Sequence, residues 1–404
     1  MIEKVVISNY KSIEDMTIEL GRFNVIIGEN GSGKSNILEA IALLSAAAMR
    51  KLDNEYLGRI GIRPSKPRFM RSAFQSDGEK TIKVAANSKN ESYVAELSHD
   101  GLPYSEWKDV FRERTEKELR NVFEFLATGH ENETVHKGLG GDAYTKLLQV
   151  RKGVKGATKG DLAAPAFTDF FEMFRKEFDS KPIENLGLKN FMIYKPEESA
   201  IRRIETDGQM EPLGVRGEGL IKLLSLMFVR PDEKRMKDLS DSLKLIGWFK
   251  DMKLHEGEYR KEIYIDLVDK YIDEAAGLYD QRNSNEGFLF LLFYIILFVS
   301  KETPSFFAIE NIDTALNPKL CEKLTSVLAE LAKKYSKQVI LTTHNPSVLD
   351  GLDMNDRTVR LFVAYRNGTG RTMIRRVPKP TSGTRRKMSE YFVQGVLGGL
   401  PKNF

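Results

Sequence analysis

The segment Phe23-Asn24-Val25-Ile26-Ile27-Gly28-Glu29-Asn30-Gly31-Ser32-Gly33-Lys34-Ser35 constrains this chain more than any other part of it. Phe23 to Ile27 is short, apolar and β-branched, the pattern of a buried strand. Gly28 to Ser35 fits G-x-x-x-x-G-K-[ST] in full. Ile37, Leu38, Ile41, Leu43 and Leu44 then recur at helical spacing. In such a strand–loop–helix unit the glycines let successive backbone N–H groups turn toward phosphate oxygens, and the helix N-terminus adds its positive end. Lys34 is expected to reach the β- and γ-phosphates, and Ser35 to put its hydroxyl on Mg²⁺. Gly28, Glu29, Asn30, Gly31, Ser32, Gly33, Lys34, Ser35 and Asn36 are thus candidate nucleotide-binding residues. The expected cofactors are ATP and Mg²⁺, and the expected fold class is α/β.

Composition narrows the rest. At 404 residues the chain has room for two to three domains. With 41% hydrophobic and 29% charged residues it reads as globular, not disordered. A single cysteine, Cys321, excludes a disulfide framework and any multi-cysteine zinc site. A charged segment begins at Glu3, so no leader is expected. The longest apolar run, Gly287 to Ser300, has 14 residues. A bilayer span takes about 20, so the run reads as a buried helix. A cytoplasmic protein without a membrane partner is expected. The net charge of +5 is unevenly spread: Arg357 to Phe404 holds eleven Lys and Arg against one acid, Glu390, which leaves the rest of the chain mildly acidic. Such a tail attracts nucleic acid or an acidic partner, or is simply solvated.

No repeat at a solenoid period is visible. Val5–Ile7 and Met16–Leu20 read as strands around a turn at Tyr10–Glu14, followed by strands at Thr81–Ala85 and Ser92–Leu97. Glu106–Leu126 and Thr168–Phe178 read as amphipathic helices. Between them, residues 151–160 are glycine-rich and all four charges are positive; a surface loop and a nucleic-acid contact both fit. Strands and helices alternate again from 185 onward, and Val359–Tyr365 with Thr372–Val377 reads as a hairpin. The resulting division is 1–100, an N-terminal lobe with the P-loop; 101–185, a helical insertion; 186–378, a C-terminal lobe; and 379–404, a basic tail.

A P-loop enzyme also needs an acid at the end of a neighbouring strand. Phe306-Phe307-Ala308-Ile309-Glu310 supplies one, although a strand-end glutamate in a local salt bridge would look the same. Gln338–Thr342 leads into Thr343-His344-Asn345-Pro346, and a histidine there lies where α/β sheets bind ligands.

Ile7-Ser8-Asn9-Tyr10-Lys11-Ser12-Ile13, together with Asn24 to Asn36, resembles the N-terminal lobe of RecF, SMC and OLD-type ATPases, and most of all the stand-alone AAA family ATPases of bacterial anti-phage and abortive-infection operons. The resemblance covers roughly residues 1–48 and 190–378. It implies an ABC-type head with an N-terminal antiparallel β lobe, working as a homodimer or higher homo-oligomer that sandwiches ATP. Ile309 to Pro318 then fits the Walker B and D-loop pattern. Glu310 takes the Mg²⁺-associated acid, His344 the switch histidine and Lys11 a basic residue near the nucleotide. Gly217-Glu218-Gly219-Leu220 resembles a glycine element that precedes a long helix in these proteins. Asn285 and Gly287 stand for the signature motif, departing from its usual serine, and Gln75 stands for the Q-loop residue as a further metal contact. Asn311 occupies the place of the usual catalytic glutamate; an amide accepts no proton, so slow hydrolysis is expected unless Asp313 compensates.

Too few residues follow His344 for the Toprim nuclease domain of OLD proteins, no His/Cys metal spacing is present, and no heptads persist as SMC arms require. The expectation is an ATPase that senses or regulates, acting through a separate nuclease or toxin effector in antiviral defence. A RecF-like DNA repair ATPase and a non-hydrolysing ATP-bound scaffold are the alternatives.

Overall fold

The computed structural model describes residues 1–72, 74, 81–102, 105–113, 186–203, 212–256, 263–272, 279–280, 284–379 and 387–398. The strands are β1 Lys4–Tyr10, β2 Ile13–Glu19, β3 Phe23–Ile27, β4 Ile82–Asn87, β5 Ser92–Ser98, β6 Lys108–Asp109, β7 Ile193–Tyr194, β8 Phe249–Glu256, β9 Ile263–Asp269, β10 Tyr279–Asp280, β11 Phe306–Ile309, β12 Gln338–Thr343, β13 Val359–Arg366 and β14 Thr372–Arg376. The longer helices are α1 Lys34–Ala48, α2 Leu220–Val229, α3 Glu233–Leu243, α4 Glu286–Val299 and α5 Pro318–Lys334, with a shorter α6 at Met388–Val393.

Three sheets form. The central one runs β14-β13-β3-β12-β11-β7, parallel except for β14. β3, β11 and β12 are buried along their whole length, so they read as continuous apolar runs without alternation. The second sheet, β2-β1-β4-β5-β6, is antiparallel and exposes one face, so β2 alternates buried and exposed residues. The third is the antiparallel set β10-β9-β8. The expected α/β fold with an antiparallel N-terminal lobe is the architecture found. Its N- and C-terminal parts are joined by one sheet, because β3 is inserted between β12 and β13.

α1 packs against strands of both the first and the second sheet, β12 and β7 on one hand and β1, β4 and β5 on the other. Thirteen of its fifteen residues are buried, which explains its alanine-rich, all-round apolar sequence. The 14-residue apolar run is α4, as expected a core helix, buried without interruption from Phe288 to Val299. Phe298 packs between Phe23 and Phe307, at ring separations of 6.5 and 5.3 Å, and Phe293 meets Tyr194 edge-on at 5.9 Å. This aromatic layer holds β3 and β11 at a common depth and so fixes the residues at their C-terminal ends. Among the described residues no helix is long and apolar enough to cross a membrane.

Two local expectations are corrected. Glu106–Leu126 does not begin as a helix: Lys108–Asp109 is strand β6, paired with β5, and helix starts only at Val110. The open backbone edge of β5 outweighs the amphipathic pattern there. The turn between the first two strands is tighter than Tyr10–Glu14, since Tyr10 already pairs with Ile13 and Lys11 takes a positive φ of 47°. Residues 114–126, the helix at 168–178 and the 151–160 loop lie outside the described residues.

Candidate functional site

The site is assembled at the C-terminal ends of β3, β11 and β12, the edge at which open α/β sheets bind ligands. Parallel register sets Ile27 opposite Thr343 and Val363, and Ile309 opposite Leu341. The loop after β3, Glu310 after β11 and His344 after β12 are therefore brought to one place. They border a cavity of about 320 Å³ that Asn30, Gly31, Gly33, Lys34, Ser35, Asn36, Glu310, Asn311 and His344 line together with Arg63 and Arg366.

Two glycines give the loop its shape. Gly33 has a φ of 99°, and a Cβ there would collide with the Thr372 hydroxyl; a Cβ at Gly28 would collide with the Ala364 carbonyl. Gly31, at a φ of 75°, faces open space. The loop is thus pressed against the β13–β14 hairpin on one side and left open on the other. The clasp is polar. Thr372 Oγ1 donates to the Ser32 carbonyl at 3.0 Å and lies 2.7 Å from Ser12 Oγ, which accepts from Asn36 Nδ2 at 2.6 Å. Arg366 Nε donates to the Gly31 carbonyl at 2.8 Å.

Lys34 Nζ donates to the carbonyls of Gly28 and Glu29, both at 2.9 Å. Burial pushes its ammonium down to about 8, against the pull of Glu310, Asp313 and Glu29. Ser35 Oγ donates to Glu310 Oε1, and Lys195 Nζ stands 3.8 Å from the other carboxylate oxygen. Burial, and then the charge of Lys34, hold His344 below the usual imidazole range; a neutral ring there keeps one nitrogen as donor and one as acceptor.

Asn311 takes a φ of 55°, and its backbone N–H donates to Thr342 Oγ1 at 3.0 Å. Asp313 is absent from the cavity lining, and its carboxylate accepts from Thr343 Oγ1 at 2.6 Å. Glu310 is the one carboxylate among the described residues that line the cavity. Asn285 and Gly287 do not reach it. Asn285 caps α4, accepting from the Gly287 N–H at 2.8 Å, and Gly287 lies beside the Ala315 carbonyl. Gly217 and Gly219 both have positive φ, and Gly219 caps α2. Gly28, Glu29 and Ser32 shape the loop from behind. Gln75 lies outside the described residues.

Lys11 is also absent from the lining. It pairs with Glu39 on α1, which is 2% exposed and also accepts from Arg63 Nε at 2.6 Å and from the Tyr10 hydroxyl at 3.3 Å. Burial works against the Arg63 charge, but the bond to Glu39 outweighs it and raises its pKa. Glu39 thus links Lys11 to Arg63, which does line the cavity. Sequence reasoning missed Glu39, Arg63 and Arg366. An acid inside the apolar face of α1 was a signal for the first; no local pattern marks the two arginines.

Comparison with known proteins finds similarity to ATPase domains. Residues 1–138 match the family described as "AAA ATPase domain", and residues 248–350 the family described as "AAA domain, putative AbiEii toxin, Type IV TA system". The DNA replication and repair protein RecF of Aliivibrio salmonicida is 30% identical over 91 residues, 22% of this chain and 25% of RecF. That of Bacillus cytotoxicus is 38% identical over 55 residues, 13% of this chain and 15% of RecF. An uncharacterized protein of Methanocaldococcus jannaschii is 46% identical over 48 residues, 12% of this chain and 22% of its own. The chain thus matches a quarter or less of the length of these relatives. Among solved structures, the SMC head domain from Thermotoga maritima aligns at a TM-score of 0.42 and 16% identity, over 93% of this chain and 98% of that one. The Smc head domain with an extended coiled coil bound to the C-terminal domain of ScpA, from Pyrococcus furiosus, gives 0.47 and 14%, over 93% and 96%. The P-loop and the Glu310–His344 region thus each fall within a segment that matches an AAA domain family, and the similarity to RecF covers 13–22% of the chain.

Proposed function

We propose that this protein is a slow ATPase of the RecF/SMC type whose ATP-bound form is a long-lived dimer, used as a switch. The observation that carries the reading is the Ser35 hydroxyl on the Glu310 carboxylate beside Lys34. Hydroxyl and carboxylate oxygens are the hard donors Mg²⁺ takes, and Lys34 supplies the phosphate-facing charge. Ser32 Oγ is buried with no partner among the described residues, and Gly31 leaves space in front of the loop; both fit a triphosphate. Ser35 and Glu310 would hold Mg²⁺, which would supply charge neutralisation for the phosphates. Arg63 and Arg366 add two more cations at the rim. His344, kept neutral, can hydrogen-bond the terminal phosphate. Asn311 can orient a water but cannot take its proton, and Asp313 is held by Thr343, so turnover is slow. The N-terminus of α4, free of its own chain's cavity, is available to the nucleotide of a second copy.

In this reading the switch controls a separate effector in anti-phage defence, which the match of residues 248–350 to a toxin-system family supports. The RecF similarity favours DNA repair as the second reading, with the basic tail as the nucleic-acid contact. The test is ATP binding, turnover and mass in ATP for wild type, Lys34→Ala and Asn311→Glu, with and without DNA. Lys34→Ala is expected to lose ATP binding, and Asn311→Glu to raise turnover and shorten the life of the dimer. ATP binding at wild-type affinity in Lys34→Ala would overturn the site; brisk turnover indifferent to Asn311 would overturn the slow switch. Turnover stimulated by gapped DNA would favour the repair reading.

A further inference from the structure

A second cavity, of about 490 Å³, opens at the other end of the same strands. Its walls come from the residues just before β7, β11 and β12, namely Met192, Ser305 and Lys337. At about 3.3 Å per residue, six-residue β12 separates it from the nucleotide site by about 20 Å. The edge is not the one at which a parallel sheet places its main ligand, so its chemistry calls for a separate account.

That chemistry is cationic. Lys189, Arg235, Lys301 and Lys337 line the cavity against one acid, Glu302. Asp232 stands outside the lining and is shared by Lys301, at 2.9 Å, and Arg235, at 3.4 Å. Counting both acids, the cavity keeps between one and two positive charges in excess at neutral pH, according to the protonation of Lys337. Lys337 is 4% exposed, and the oxygens that hold its ammonium are all neutral: the Thr303 carbonyl at 2.7 Å, the Thr303 hydroxyl at 2.9 Å and the Pro304 carbonyl at 3.1 Å. A buried cation without a counter-charge is costly. Here burial, and then the charge of Arg235, push it down to about 7. The Arg235 guanidinium lies 4.2 Å from the Tyr335 ring, which holds it at the wall. Tyr194 and Met192 lie buried beneath the lining, and half-buried Pro212, Pro304 and Tyr335 give the wall its apolar surface.

We propose that this cavity is a binding site for a small phosphate monoester with an aromatic or apolar body. A phosphate monoester carries about −1.5 to −2 at neutral pH, which matches the excess charge where a single carboxylate does not. The volume lies in the range of small-molecule sites, about 300–1,000 Å³, and leaves room beyond the phosphate for a ring against Pro212, Pro304 and Tyr335. The site is independent of the ATPase reading and stands or falls without it.

The test uses the full chain carrying Lys34→Ala, which weakens phosphate binding at the P-loop. Phenyl phosphate, inorganic phosphate and benzoate are titrated calorimetrically, and the titrations are repeated with Arg235→Gln or Lys189→Glu added. Lys189 is exposed, so its variant keeps the fold. Phenyl phosphate is expected to bind at least tenfold more tightly than benzoate and more tightly than inorganic phosphate. Each cavity substitution is expected to weaken it about tenfold or more, the size of a lost charge-assisted contact. Binding that persists unchanged in both cavity variants would report the P-loop and overturn the proposal. So would equal affinity for benzoate, or no binding by folded protein.

Discussion

Replacing Glu39 with glutamine tests whether one buried carboxylate organises the entrance to the nucleotide cavity. Gln keeps the shape and one acceptor but removes the charge that faces Lys11 and Arg63. Arg63 is 62% exposed on its side chain, so solvent screens it and its pair is worth at most about 1 kcal/mol. Lys11 is 16% exposed and Glu39 2%. Breaking a fully buried pair costs about 3–5 kcal/mol; the partial exposure of Lys11 brings the combined expectation to about 2–3 kcal/mol. For a protein of this size about 2 °C is lost per kcal/mol, so the thermal midpoint should fall by about 4–6 °C. Adding Lys11→Met removes the stranded cation and should restore at least half of the loss. Differential scanning calorimetry of wild type, both single variants and the double variant reads all four values. A Glu39→Gln midpoint within about 1 °C of wild type, or a double variant no more stable than Glu39→Gln, would refute the argument that the Lys11–Glu39 pair is desolvated.

Three further outcomes follow from the same region. Thr372→Val removes the hydroxyl shared by Ser12 and the Ser32 carbonyl; a loss of about 1–2 kcal/mol is expected in denaturant titration, with weaker ATP binding, and Thr372→Ser should retain both properties. Burial lowers the Lys34 pKa to about 8 in the folded state, so its charge destabilises the nucleotide-free protein below about pH 8, an effect that fades as pH rises from there toward the unfolded value near 10.5. Phosphate raises that pKa again, so ATP binding by wild type should take up about one proton through Lys34 at pH 9 and far less at pH 7, where Lys34 is already charged, read by calorimetry in buffers of different ionisation enthalpy. Asn285→Ala removes the cap of α4 and should cost about 0.5–2 kcal/mol; ATP affinity of the isolated subunit should be unchanged, because Asn285 lies outside its own cavity.

What the sequence makes legible here is local. Phe23 to Ser35 carries its own strand, turn glycines and helix start within thirteen residues, so chemistry and geometry are read together. Glu310 and His344 are legible as strand ends, but their meeting with the P-loop depends on β12 lying between β3 and β11, an order set by packing across more than three hundred residues. Arg63 and Arg366 reach the cavity through a loop and a hairpin end that no spacing rule connects to it. Lys11 carries the opposite lesson: its motif is plain, yet a buried acid one helical turn past Ser35 takes its ammonium away from the lining. At Lys108 a helical pattern yields to an unpaired strand edge, a partner invisible to any window of local sequence.

The placement of β3 bears on how the protein is made. Asn24 Nδ2 donates to the Val339 carbonyl, 315 positions later, and both flanking strands, β12 and β13, belong to the last fifth of the chain. A ribosome therefore releases the complete phosphate-loop sequence long before either neighbour exists. Until then β3 is an apolar strand with two open edges, the kind of segment chaperones cover. Long-range closure of this kind slows folding. It also means that a product cut short before Gln338 carries the whole nucleotide motif without the sheet that shapes it, so premature termination should leave no fragment able to occupy ATP.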